Sequence, residues 1–164
     1  MALRQSASFS NDNTSTKISA TFPSTVASGR AILGYASWGT ATPTDLASVG
    51  EEKTGASSFT LVDRVSDATN NQSLGSVYLL NVTTSASTVN ASLTAGHGFR
   101  TIVINEYTGI STVTALDKNN MLLKAAPGTG ANAIATSTMT TGTNGELVYS
   151  GVVDTATGSL ATVS

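Results

Sequence analysis

The stretch Gly29-Arg30-Ala31-Ile32-Leu33-Gly34-Tyr35-Ala36-Ser37-Trp38-Gly39 decides the fold. From Ala31 to Trp38 it is nearly continuously apolar, too short for a membrane span, and bounded by Ser28-Gly29 and Gly39, as expected of a central strand covered on both faces. Arg100–Tyr107, with Ile102, Val103 and Ile104 ahead of Thr108-Gly109, reads as a second core strand. Between and around these two runs, apolar and polar residues alternate over short segments broken by Gly, Asn, Asp and Ser, which is the period of half-buried antiparallel strands.

Working outward, Leu3–Ser10 and Thr16–Phe22 flank Asn11-Asp12-Asn13 and read as an opening hairpin. Residues 40–54 contain Pro43 and the tandem Glu51-Glu52 without sustained alternation, so a long surface connection is expected, with one helical turn over Thr44–Val49. Further strands are expected over Phe59–Val65, Val77–Val82, Val89–Leu93, Met121–Ala125, Ala133–Thr140, Glu146–Val153 and near Leu160. Turns fall at Asp67–Gly75, Pro127–Gly130 and Asn144-Gly145, the last a hairpin signal. About ten strands at this spacing imply one all-β domain over residues 1–164, an antiparallel two-sheet β-sandwich of jelly-roll type.

Composition narrows function. The chain has 164 residues, no cysteine, 11% charged residues and a net charge of −2. Without cysteine there is no disulfide, thiol nucleophile or thiolate metal site. The eight basic residues are scattered singly (Arg4, Lys17, Arg30, Lys53, Arg64, Arg100, Lys118, Lys124), whereas a polyphosphate partner needs them clustered, so nucleic-acid binding is not expected. No apolar window approaches a membrane span, and the N-terminus lacks the apolar stretch of a signal peptide. Serine and threonine make up about 30% of the residues, so the surface is hydroxyl-rich rather than ionic.

No residue pattern commands catalysis, a cofactor or a metal. His97, the single histidine, sits between Gly96 and Gly98 and reads as an exposed turn residue; no Gly-x-Ser-x-Gly elbow accompanies it. Glu106 and Asp117, or Asp63 and Asp154, are carboxylates of the type used in glycoside hydrolysis, but the sequence does not set their separation, and a salt bridge or a loop hydrogen bond is the expected use of Glu106. Asn11-Asp12-Asn13 and Asp117–Asn120 offer oxygens without the spacing of a calcium loop, so turns are expected. Tyr35, Trp38, Tyr78, Tyr107 and Tyr149 lie in strand-like runs and read as core rather than as a sugar-stacking row.

Three segments, Gly29–Tyr35, Phe99–Gly109 and Asn144–Gly151, resemble a β-sandwich pattern in bacteriophage structural proteins and bacterial surface modules. The resemblance implies a virion component: a capsid decoration (cement) protein on the outer capsid surface, a trimer bound to the major capsid protein or another virion protein. The alternative it leaves is a carbohydrate-binding or host-adhesion module of a tail fibre. The expected contact segments are an N-terminal arm over residues 1–10, with Ala2, Leu3, Arg4 and Gln5, and the following long loop, with Asp45, Glu51 and Glu52.

Overall fold

The computed structural model describes residues 1–53, 58–111, 116–117, 140, 142, 147–154 and 159–163. Among these residues the chain is all-β, with a single turn of 3-10 helix at Pro43–Asp45. The strands are β1 (Ala2–Asn11), β2 (Ser15–Thr21), β3 (Ala31–Trp38), β4 (Leu46–Glu51), β5 (Thr60–Asp67), β6 (Gln72–Leu79), β7 (Thr88–His97), β8 (Arg100–Thr108), β9 (Ser150–Asp154) and β10 (Ser159–Val163).

Eight strands form two antiparallel sheets, ordered β1-β8-β3-β6-β5 and β2-β7-β4, while β9 and β10 pair with each other. The pairs β1·β8, β2·β7 and β3·β6 are nested, which is the jelly-roll signature of one long hairpin wrapped across two sheets. The innermost pair departs from that plan. β5 joins the far edge of the large sheet beside β6, and β4 meets the approach to β5 through the Gly50–Ser58 bridge and the Phe59 N–H bond to the Val49 carbonyl at 2.9 Å.

Ile18 and Ala20 of β2, Leu46 and Val49 of β4, and Val89, Ala91 and Leu93 of β7 face Ile32, Ala36 and Trp38 of β3, Val77 and Leu79 of β6, and Ile102 and Ile104 of β8. Their alternation with outward residues follows from the two-residue period of a strand. β3 and β8 are buried along almost their whole length, as their apolar runs require. Trp38, fully buried, is the largest core side chain, and its indole N–H donates to the Thr42 carbonyl at 3.2 Å.

Four expectations are corrected. β1 and β2 exist but are not a hairpin: β1 pairs with β8 and β2 with β7, in different sheets. The Asn11 side chain accepts from the Asn13 N–H at 2.7 Å, so the short turn carries the chain around a corner between sheets. Residues 1–10 are accordingly no free arm, because β1 is laddered to β8 from Ala2 to Asn11.

Residues 40–54 are not one long connection, since β4 occupies 46–51 and helical geometry stops at Asp45. A register shift between Leu46 and Ser48 leaves Leu46 and Val49 both buried, three residues apart, which hides the strand from a search for alternation. The expected turn at 67–75 shrinks to residues 68–71, where the Asp67 side chain caps Thr69 and Asn70 and Asn71 takes φ +54°; β6 begins already at Gln72. Of the later expectations, β10 contains Leu160 and β9 begins at Ser150, whereas 121–125, 127–130, 133–139 and 143–146 lie outside the described residues.

Candidate functional site

Among the described residues β1 and β2 are free edges of the two sheets and lie on the same side of the sandwich, joined by the Asn11–Asn13 corner. An edge strand presents alternate unpaired N–H and C=O groups to solvent and pairs readily with another chain unless charge, proline or a bulge blocks it. β1 carries a charge only at Arg4, beside its one register shift between Leu3 and Gln5; from Gln5 to Asn11 it is uncharged and regularly paired. The opposite edge of the large sheet, β5, holds Asp63, Arg64 and Asp67 and a register shift after Leu61.

The hydroxyls of the two open edges turn inward along their sheets. Ser6 donates to the Asn105 side chain at 2.6 Å, Ser10 and Thr101 share a bond of 2.9 Å, Ser19 donates to Asn90 at 2.6 Å, and Thr21 meets Thr88 at 2.9 Å. Such cross-strand pairs give the hydroxyl-rich composition a structural use and tie each edge side chain to its inner neighbour.

Between the edges runs an open groove of about 520 Å³, lined by Phe9 and Asn11 of β1, Asn13 of the corner, Ser15, Lys17, Ile18 and Ser19 of β2, and Arg100 at the start of β8. Phe9 is 49% exposed there although it alternates onto the core side of its sheet. Arg100 is only 3% exposed. Its guanidinium donates to the Lys17 carbonyl and, at 2.5 Å, to the Asn13 carbonyl, while Nε has no hydrogen-bond partner among the described residues. Burial lowers its pKa from the ordinary guanidinium value, yet the group stays cationic at neutral pH. The guanidinium held against the Asn13 carbonyl ties the Asn11–Asn13 turn to the head of β8.

At the far end of β1, Gln5 binds the 22–30 connection to the sheet. Its Nε2 donates to Glu106 at 2.5 Å and to the Ser24 carbonyl at 3.0 Å, and its Oε1 accepts from the Ser24 N–H and hydroxyl. Glu106, 5% exposed, also faces Arg30 Nε at 3.8 Å. That explains a buried carboxylate in a core strand: an amide and a guanidinium satisfy it.

The expected contact residues separate. Ala2, Leu3 and Arg4 are exposed at the start of β1, whereas Gln5 is engaged as described. Asp45, Glu51 and Glu52 belong to the β4 side, and β4 is the opposite edge of the small sheet from β2, so the two contact segments do not converge. Glu51 is buried and accepts from the Thr84 hydroxyl at 2.7 Å, which removes it from the surface. Glu52 remains exposed and reaches Lys17 Nζ across the small sheet at 3.0 Å. Sequence reasoning passed over Phe9 and Arg100; the available signal was a lone cation at the head of the strongest apolar strand, a position that demands partners.

His97 is not simply exposed. Its Nε2 lies 2.7 Å from Asp45 Oδ2, and Thr94 donates to Asp45 Oδ1 at 2.7 Å. The Thr94 bond and, behind it, the His97 bond hold the Asp45 carboxyl below its ordinary pKa, against an opposing desolvation effect. With the folded pKa below the unfolded one, the unfolded state binds more protons in acid, so this cluster's stabilisation is present above about pH 4 and is lost as pH falls through the folded pKa. Asp45→Asn should therefore flatten the fall in urea midpoint between about pH 5 and pH 3; an unchanged fall would exclude Asp45 as a source of acid sensitivity.

Tyr35 and Tyr149 stack at 4.9 Å, Tyr107 meets Tyr149 edge-on, Tyr35 donates to the Tyr149 carbonyl, and Asn105 donates to the Tyr149 hydroxyl. Burial pushes the Tyr35 and Tyr149 hydroxyls well above the ordinary tyrosine pKa. These three rings face one another and so do not form an outward sugar-stacking row. Asp117 accepts from the Gly142 N–H, and Asp63 from the Arg64 N–H. No family model, curated protein or solved structure matches the chain.

Proposed function

We propose that this chain is a capsid decoration protein, a structural subunit that binds the lattice of a major capsid protein at the outer surface of a virion and stabilises it. The observation that carries this reading is the edge of β1, uncharged from Gln5 to Asn11 and open among the described residues, beside the open edge of β2. An edge of this kind binds by strand addition, in which main-chain hydrogen bonds supply affinity and no catalytic group is needed. The hydroxyl-rich surface suits many modest polar contacts. Assembly as a cyclic trimer follows from the resemblance and would join two different surfaces of neighbouring copies.

The test is reconstitution on particles stripped of the protein. Wild-type protein should rebind at lattice stoichiometry and restore resistance to heat. Ser8→Lys, which places a charge on the exposed middle of β1, should abolish rebinding while changing folding stability by less than about 0.5 kcal/mol. Particles equally heat-resistant with and without the protein would overturn the cementing role.

A further inference from the structure

A buried cation ordinarily sits against a carboxylate, and Arg100 does not. Among the described residues its only acceptors are two main-chain carbonyls, and Nε is unpartnered. Carbonyl dipoles satisfy hydrogen bonds without cancelling the net charge, so among the described residues nothing compensates the positive charge that the head of β8 holds in a poorly solvated place. The same guanidinium lines the groove between β1 and β2.

The remaining lining is mixed. Phe9 and Ile18 supply an apolar floor, and Asn11, Asn13, Ser15 and Ser19 a neutral hydrogen-bonding rim. A half-exposed phenylalanine on the inner side of an edge strand is a surface that another side chain would cover. The main-chain edge of β1, unpaired among the described residues, borders the same opening. A bare inorganic anion would use the guanidinium and leave Phe9 and the strand edge uncovered. An extended peptide uses all three, because alternate side chains of an added strand point into the groove while its backbone pairs with β1.

We infer that the β1–β2 groove is the docking site for an extended peptide segment of a partner protein, added as a strand to the β1 edge, with a carboxylate side chain directed at Arg100 and an apolar side chain on Phe9 and Ile18. This rests on the edge-binding reading above and deepens it by giving the partner's chemistry: a strand-forming segment bearing an aspartate or glutamate. Asn11 and Asn13 border the carboxylate subsite.

The test uses the full chain labelled with 15N and a capped hexapeptide of alternating threonine and valine with one central glutamate, beside its glutamine twin. The glutamate peptide should shift the Arg100 Nε–H resonance and the amides of residues 5–11 together, and the glutamine twin should bind at least about tenfold more weakly. Phe9→Ser alters an exposed position, spares the Arg100 clamp, and should weaken the glutamate peptide by a similar factor; Arg100→Gln, which removes the charge and is checked for folding by its amide spectrum, should erase the difference between the twins. Equal binding of the twins to the wild type would overturn the carboxylate assignment. Acetate shifting Arg100 as strongly as the peptide, with β1 amides unmoved, would reduce the site to a simple anion subsite and overturn strand addition. If wild-type protein rebinds stripped particles while neither peptide binds, this inference fails and the decoration reading stands; if the peptide binds and the particles are not rebound, the reverse holds.

Discussion

Replacing Trp38 by alanine should remove about 3–5 kcal/mol of folding free energy, the usual cost of deleting a large aromatic side chain from a packed core. Trp38 is fully buried at the end of β3 and belongs to the cluster in which both sheets meet. Its indole also donates to the Thr42 carbonyl just before the 3-10 turn, so truncation leaves a cavity and removes a donor that helps fix the chain's entry into β4. A domain with total stability of about 5–15 kcal/mol would be left marginal or unfolded at ambient temperature. Urea denaturation followed by circular dichroism measures this, since the variant has lost the single tryptophan. Trp38→Phe keeps most of the volume and should cost under about 2 kcal/mol beyond the lost hydrogen bond. An alanine variant with the wild-type midpoint would refute the placement of Trp38 in the shared core.

Gly34→Val should be nearly as damaging, for a different reason. A Cβ at Gly34 would lie 2.7 Å from the Val103 carbonyl oxygen and 3.1 Å from Ile104 Cγ2 on β8. The obstacle is main chain in the neighbouring strand, so relief requires β3 and β8, the two most buried strands, to separate locally. Overpacking of a well-packed core costs about 1–3 kcal/mol and more where backbone must move, and the upper end is expected here. Gly75→Ala provides the contrast. Its Cβ would meet Leu46 Cδ2 at 2.8 Å, but that atom is the end of a flexible side chain from the other sheet and can rotate away. The midpoints should therefore fall in the order wild type, Gly75→Ala, Gly34→Val; a reversal would show that the β3–β8 spacing is looser than these distances require.

What amino-acid order determined by itself was the kind of structure and its centre. The continuous apolar runs ending at Trp38 and beginning at Arg100 can be buried on both faces only as inner strands of a covered sheet, and there they are found, as adjacent β3 and β8. Alternation placed β5, β7 and the second half of β6 for the same local reason: a two-residue period is a property of the strand alone. Where a bulge broke that period, as at Leu46–Val49, the strand was invisible, because its regularity exists only opposite a partner.

Only the tertiary structure decided which strands pair. The Asn11–Asn13 turn closes a corner as readily as a hairpin, and the choice is made by the nested partners β7 and β8, far along the chain. From that choice follow, among the described residues, the two open edges, the groove between them and the solitary charge of Arg100. None of these is encoded locally: an arginine among scattered cations becomes a buried, uncompensated one only when two distant corners of the chain close around it.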